Sequence, residues 1–190
     1  MAATKMVRRW RAGMDVRDDT DYCANLHTLS AGSVRRNFNP YVDVSWNSPE
    51  FGVTENDPRW VLAKSDPIGA SAWYQAQPLD KQIAIGMWRQ ANVAKAGQQF
   101  ESMLIRGLLA YTFWVPNGSP EYRYCLHEAV EEGNHTLMFQ EMVNHVGVDV
   151  PGLPRWVKWL NWAFPLFASP MPTFFFMMVL CGEEDRKSVV

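Results

Sequence analysis

Two long helical patterns separated by the short stretch VPNGSP, Val115 to Pro120, leave this chain few folds to adopt. The first pattern opens at Pro78 and Asp80 and runs through QIAIGMWRQANVAKAGQQFESMLIRGLLAYTFW to about Trp114. The second opens at Ser119-Pro120-Glu121, with Ser as N-cap, Pro at the first position and an acid in the first turn. It runs to about His145 and stops at Gly147. A link this short between two long helices implies an antiparallel hairpin. In the first helix Ala94, Gly97, Glu101, Leu104, Leu108 and Tyr111 recur at helical spacing on one stripe. Glu101 is therefore an acid in the middle of an apolar face. Burying it bare would cost roughly several kcal/mol, so it must be neutralised, paired or bound to a cation. The plainer alternative places it at the stripe's edge, bonded to Arg106 or a neighbour.

The second helix carries HEAVEEGNHTLMFQEMV, His127 to Val143. Glu132 and His135 are spaced i, i+3 and project from one face a turn apart. One helix of a carboxylate-bridged dimetal bundle supplies an oxygen and a nitrogen ligand at this spacing. An ordinary solvated helix face would also hold Glu and His, but here Leu137, Met138, Phe139, Met142 and Val143 follow them. Glu101 lies 15 residues before Pro116, and Glu132 lies 13 after Ser119. At ~1.5 Å per residue the two acids stand at nearly the same height above the turn. One Glu on the first helix then faces a Glu and a His on the second, which is half of a dimetal site. Glu131 also stacks on His135, at i, i+4, so geometry alone leaves that pair open. Glu128 and Glu131 are otherwise read as supporting or surface acids.

The remaining chain frames this hairpin. Residues 1–20 form a ragged basic arm. Asp21 to Ala31 suits a short helix, with Asp19, Thr20 and Asp21 as N-cap candidates and His27 as a surface histidine. From Asn37 to Pro67 the prolines at 40, 49, 58 and 67 forbid a long helix. This stretch reads as an extended Pro- and Trp-rich arm, with one short strand expected at Tyr41–Trp46. Trp159 to Cys181 is a run of 23 residues without a charge, long enough for a membrane span. Pro165, Pro170 and Pro172 interrupt it, so two apolar helices broken at ASPMP are expected instead. The whole is expected to be one all-α domain, 1–190: the arm 1–20, a short helix and wrapping arm 21–77, the hairpin 78–147, and apolar helices 148–190.

A net charge of −2 gives no electrostatic footprint for nucleic acid. Three scattered cysteines without a C-x-x-C argue for reduced thiols, and a cytoplasmic setting is expected. The basic N-terminus has no apolar run after it and so reads as no secretory signal. Nine tryptophans and ten methionines are expected to be mostly packing, with the rest lining a cavity.

The block LHTLSAGSVRRNFNPYVDVSWNSPEF, followed by QQFESML and then VEEGNHTLMF, resembles the p-aminobenzoate N-oxygenase family of ferritin-like diiron oxygenases. The resemblance covers most of the chain from about Asp21. It implies a four-helix bundle whose carboxylates and histidines hold two irons. It further implies a small-molecule substrate and dioxygen, an electron donor, and oxidation of an aromatic amine toward hydroxylamine and nitro products. Matched residue by residue, Glu101 is the first-helix ligand, and Glu132 with His135 form the first Glu-x-x-His. Glu183 or Glu184 is the third-helix acid.

The family pattern continues with a fourth helix bearing another Glu-x-x-His, and no histidine follows His145 here. The sequence thus resembles an incomplete ferritin-like bundle, ending as the third ligand helix begins. With half the ligands, one iron at most is expected to bind, and weakly. The apolar run would lie open to water, so a chain expressed alone is expected to be helical, poorly soluble and inactive. A homodimer could cover that run only if its metal-facing and partner-facing surfaces coincide. The competing class is non-enzymatic: a metal-dead helical remnant, or a peripheral membrane or interaction protein anchored through Trp156 to Cys181.

Overall fold

A computed structural model describes residues 19–53, 56–163, 166, 168 and 170–178. Among these residues the structure is entirely helical and turn-like, with no strand. Helix α1 is Asp19–Arg35. The three N-cap candidates lie inside it as its opening residues, and it continues four residues past Ala31. GSVR contains no proline to stop it, and the Arg35 side chain bonds back to the Ala31 carbonyl at 3.2 Å. Leu26 and Ser30 are buried, and the helix packs against the second helix of the hairpin.

The strand expected at Tyr41–Trp46 does not form; the segment is a series of turns. Local side-chain bonds outcompete extension there. The Asn39 side chain accepts from Tyr41 N at 3.0 Å, and the Asp43 carboxylate accepts from Asn39 N at 2.7 Å. The backbone N–H groups of Val42 and Asp43 both return to the Asn39 carbonyl. The Trp46 indole then closes the loop on the Pro40 carbonyl at 2.7 Å. Two 3-10 turns follow, Pro49–Phe51 and Pro58–Trp60, each with proline in its opening positions. The second is capped by Asp57, whose carboxyl is held below its usual range by the hydrogen bond and charge of Arg59.

Short helix α2, Ala72–Gln75, carries the buried Tyr74. Its hydroxyl accepts from Leu62 N at 2.8 Å and donates to the Gln82 carbonyl at 3.0 Å, tying the arm to the next helix. That helix, α3, spans Leu79–Thr112, 34 residues. Gly86 lies where the arm crosses it: a Cβ there would come within 1.7 Å of the Trp60 carbonyl oxygen. Helix α4 spans Pro120–Val146, 27 residues, and ends on Gly147 in the left-handed region at φ 69°. Ser119 does stand at its N-cap position, but its side chain makes no capping bond. The hairpin is the dominant packing unit.

Two apolar clusters close the hairpin toward its ends. Near the turn, Leu104, Leu108, Cys125, Ala168 and Phe175 pack together. Far from the turn, Ala91, Val146 and Val150 do so. The loop after α4 is clamped to α3 by side-chain amides. Asn92 accepts from Gly152 N at 2.8 Å, and Gln99 accepts from Leu153 N at 2.8 Å. Beyond it lie α5, Arg155–Leu160, and a helical stretch at 172–178. No helix among the described residues is long and apolar enough to cross a membrane. The expectation that the tryptophans and methionines are mostly packing does not hold for the tryptophans: Trp73, Trp88, Trp114, Trp156, Trp159 and Trp162 are exposed. All but Trp88, which lies within α3, project from short helices or just past helix ends, where few neighbours exist to cover an indole.

Candidate metal centre

Glu101 is 1% exposed, in the middle of the α3 stripe whose members Ala94, Gly97, Leu104 and Leu108 are also buried. On α4, Glu132 is 8% exposed. His135 follows one turn later and is half-buried, its side chain 45% exposed. One ligand atom from each of Glu101, Glu132 and His135 lies within 4.8 Å of the others. His135 Nδ1 stands 3.0 Å from Glu132 Oε2. With the proton on Nδ1 the ring donates to the carboxylate; without it, two carboxylates and an imidazole lone pair converge on one spot. Such a spot suits a cation.

Contacts across the hairpin fix the register that brings the acids level. Gln98 Nε2 donates to Gln140 Oε1 at 2.7 Å. A Cβ at Gly97 would sit 3.1 Å from the Phe139 ring, so the helices approach closely there. Thr136 Oγ1 bonds back to the Glu132 carbonyl at 2.9 Å. The Gln98–Gln140 bond was not anticipated, since the register that sets Glu101 opposite Glu132 places Gln98 nearer His135 than Gln140. Arg106, the basic neighbour considered for Glu101, donates to the Ser102 carbonyl at 3.0 Å and to Asn161 Oδ1.

The converging group contains Glu132 and not Glu131. Glu128 lies one turn before Glu132, where burial and the charges of Glu132 and Glu131 push its carboxyl above the usual range. The Tyr124 hydroxyl donates to Glu128 and partly offsets this. Burial, then the Glu128 charge, drives the Tyr124 phenol well up. Cys125 beside it is pushed up to about 11 by burial and by Glu128 and Glu121. The Tyr124–Glu128 pair was not anticipated; its i, i+4 spacing was the available signal.

The other histidines stand apart. His27 is exposed. His127 accepts from Arg123 Nε at 3.3 Å. His145 lies 3.5 Å from Glu141 and stacks on Trp46 at 5.3 Å. Glu183 and Glu184 lie outside the described residues.

Two long antiparallel helices that carry buried acids and an imidazole to one height define an all-α, helical-bundle class of protein with a carboxylate–histidine cluster. The chain belongs to the p-aminobenzoate N-oxygenase family: the family described as P-aminobenzoate N-oxygenase AurF matches residues 19–186. Among curated proteins it is similar to an uncharacterized protein of Mycobacterium bovis and to uncharacterized proteins of two Mycobacterium tuberculosis strains. Each is 67% identical over 184 residues, covering 97% of this chain and 54% of the relative. The chain thus spans about half the length of the curated relatives it matches. No solved structure matches it.

Proposed function

We propose that this chain forms the metal-holding hairpin of a non-haem diiron oxygenase that uses dioxygen to N-oxygenate an arylamine or a related small apolar substrate. The supporting observation is the convergence of Glu101 with Glu132 and His135 within 4.8 Å on facing helices. Two carboxylate oxygens and an imidazole nitrogen form a donor set that fits iron. Glu101, Glu132 and His135 would hold it, with Glu183 or Glu184 added by family resemblance. Iron held there would supply the redox chemistry by which dioxygen oxidises an amine nitrogen, with electrons from a separate donor.

The chain's own residues prepare the site. The clusters around Leu108 and around Val146 flank the acids and limit water on both sides. Glu132 orients the His135 ring through Nδ1. Glu128 stands one turn from Glu132, its carboxyl pushed above the usual range by burial and by the charges of Glu132 and Glu131. The three scattered cysteines support a reducing, cytoplasmic setting.

Iron analysis tests this reading. Purified chain reconstituted with ferrous iron should hold roughly one iron, because three donors serve one ion, and Glu132→Ala should lose it. The full-length Mycobacterium tuberculosis relative should show dioxygen-dependent oxidation of an arylamine, abolished by the equivalent change. Trace iron indifferent to Glu132→Ala would overturn the proposal and leave a metal-free helical remnant.

A further inference from the structure

We propose that α5 and the turn after it dock this chain on the surface of an anionic phospholipid bilayer. Trp156, Trp159 and Trp162 recur every third residue and are 67%, 70% and 63% exposed. Leu160 and Leu166 are exposed beside them. None of the three indole N–H groups makes a hydrogen bond among the described residues; only that of Trp46 does. A dry helix–helix contact would strand those N–H groups, whereas the headgroup layer of a bilayer hydrates the indole edge and takes up its apolar body.

Charge points to the same occupant. Residues 150–182 contain no Asp or Glu, and Arg155 and Lys158 are their only charged side chains. Both are exposed, on the helix that carries the tryptophans. The Lys158 ammonium donates to the Pro151 carbonyl. A short element that exposes several indoles together with basic side chains and no acid has the composition of one that lies in the plane of an anionic interface. At six residues α5 is far too short to cross a bilayer, so it lies on the surface and does not span. The proposal is independent of the metal reading.

The test is co-sedimentation of the purified full chain with vesicles of phosphatidylcholine, with and without phosphatidylglycerol. The chain should pellet with the anionic vesicles and be released by high salt. Trp156→Ser/Trp159→Ser/Trp162→Ser should weaken partitioning at least roughly tenfold, since all three side chains insert. Arg155→Glu/Lys158→Glu should remove the preference for anionic over neutral vesicles. Circular dichroism checks each variant, and Trp159→Ser alone, at the most exposed of the three positions, serves if the triple change disturbs folding. The proposal is overturned if the native chain ignores both vesicle types, or if the tryptophan variants partition unchanged. It is equally overturned if the native chain runs as a dimer that the same variants dissociate without vesicle binding, which would make this a face between two copies. Loss of vesicle binding on adding the carboxy-terminal half of the Mycobacterium tuberculosis relative would overturn it too, by assigning the face to helix packing.

Discussion

Replacing Gly107 by alanine tests how the helical stretch 172–178 is seated on the hairpin. A Cβ on Gly107 would lie 1.9 Å from Phe175 Cζ and 2.4 Å from Cε1. Carbon atoms in contact sit about 3.5–4.0 Å apart, so the ring must withdraw by more than about 1 Å. It has little room, being buried among Leu104, Leu108, Cys125 and Ala168 and edge-on to Phe176 at 5.3 Å. Two effects oppose one another. Alanine gains about 1 kcal/mol over glycine inside a helix, while overpacking costs about 1–3 kcal/mol, here at the upper end. The net loss is about 2 kcal/mol, which lowers Tm by about 4–8 °C for a chain of this size. Urea denaturation should show a lower midpoint at unchanged slope. In a Phe175→Ala background the ring is gone, and Gly107→Ala should then stabilise by about 1 kcal/mol. A neutral or stabilising Gly107→Ala in the native chain, or a failure of the sign to reverse, refutes the seating of Phe175 over Gly107.

Three further outcomes are expected. Tyr74→Phe leaves the buried Leu62 N–H without its acceptor and should cost about 1–3 kcal/mol, read from the same denaturation curve. Glu131→Ala should keep the iron that Glu132→Ala loses, because Glu131 is outside the converging group; the reverse pattern would reassign the ligand. With the Cys125 thiol pushed from 9.0 to about 11, the folded chain keeps a proton that the unfolded chain releases. Its stability should therefore fall as pH rises through that window, and Cys125 should react with maleimide at pH 8 only after unfolding.

The hairpin was legible because its signals are local and agree. Pro120 and Gly147 mark the ends of α4, and the Glu101 stripe has an unbroken helical period. Counting outward from the turn placed Glu101 level with Glu132, since an antiparallel pair joined by a short link has one register. The arm was misread at Tyr41–Trp46 because its composition suits a strand while Asn39 and Asp43 bind the backbone into turns. That competition depends on rotamers that periodicity does not reveal. The tryptophan load was misread for a different reason. Hydrophobicity says that an indole gains from burial, but not whether a six-residue helix has neighbours enough to bury it. Helix geometry alone left Glu131 and Glu132 both open, the family's Glu-x-x-His favoured Glu132, and burial separates the two only once the helix is set against α3.

The unequal burial of the three converging residues gives the cluster a direction. Glu101 and Glu132 are nearly sealed, whereas almost half of the His135 side chain faces solvent. On the proposed metal reading, an ion arriving from water would meet the imidazole before the carboxylates. If the cluster holds a metal as proposed, capture would be sequential: the exposed nitrogen would recruit the ion, and the shielded oxygens would receive it as its hydration shell is stripped. Replacing His135 would slow loading more than it weakens the final hold, while replacing Glu101 would do the opposite.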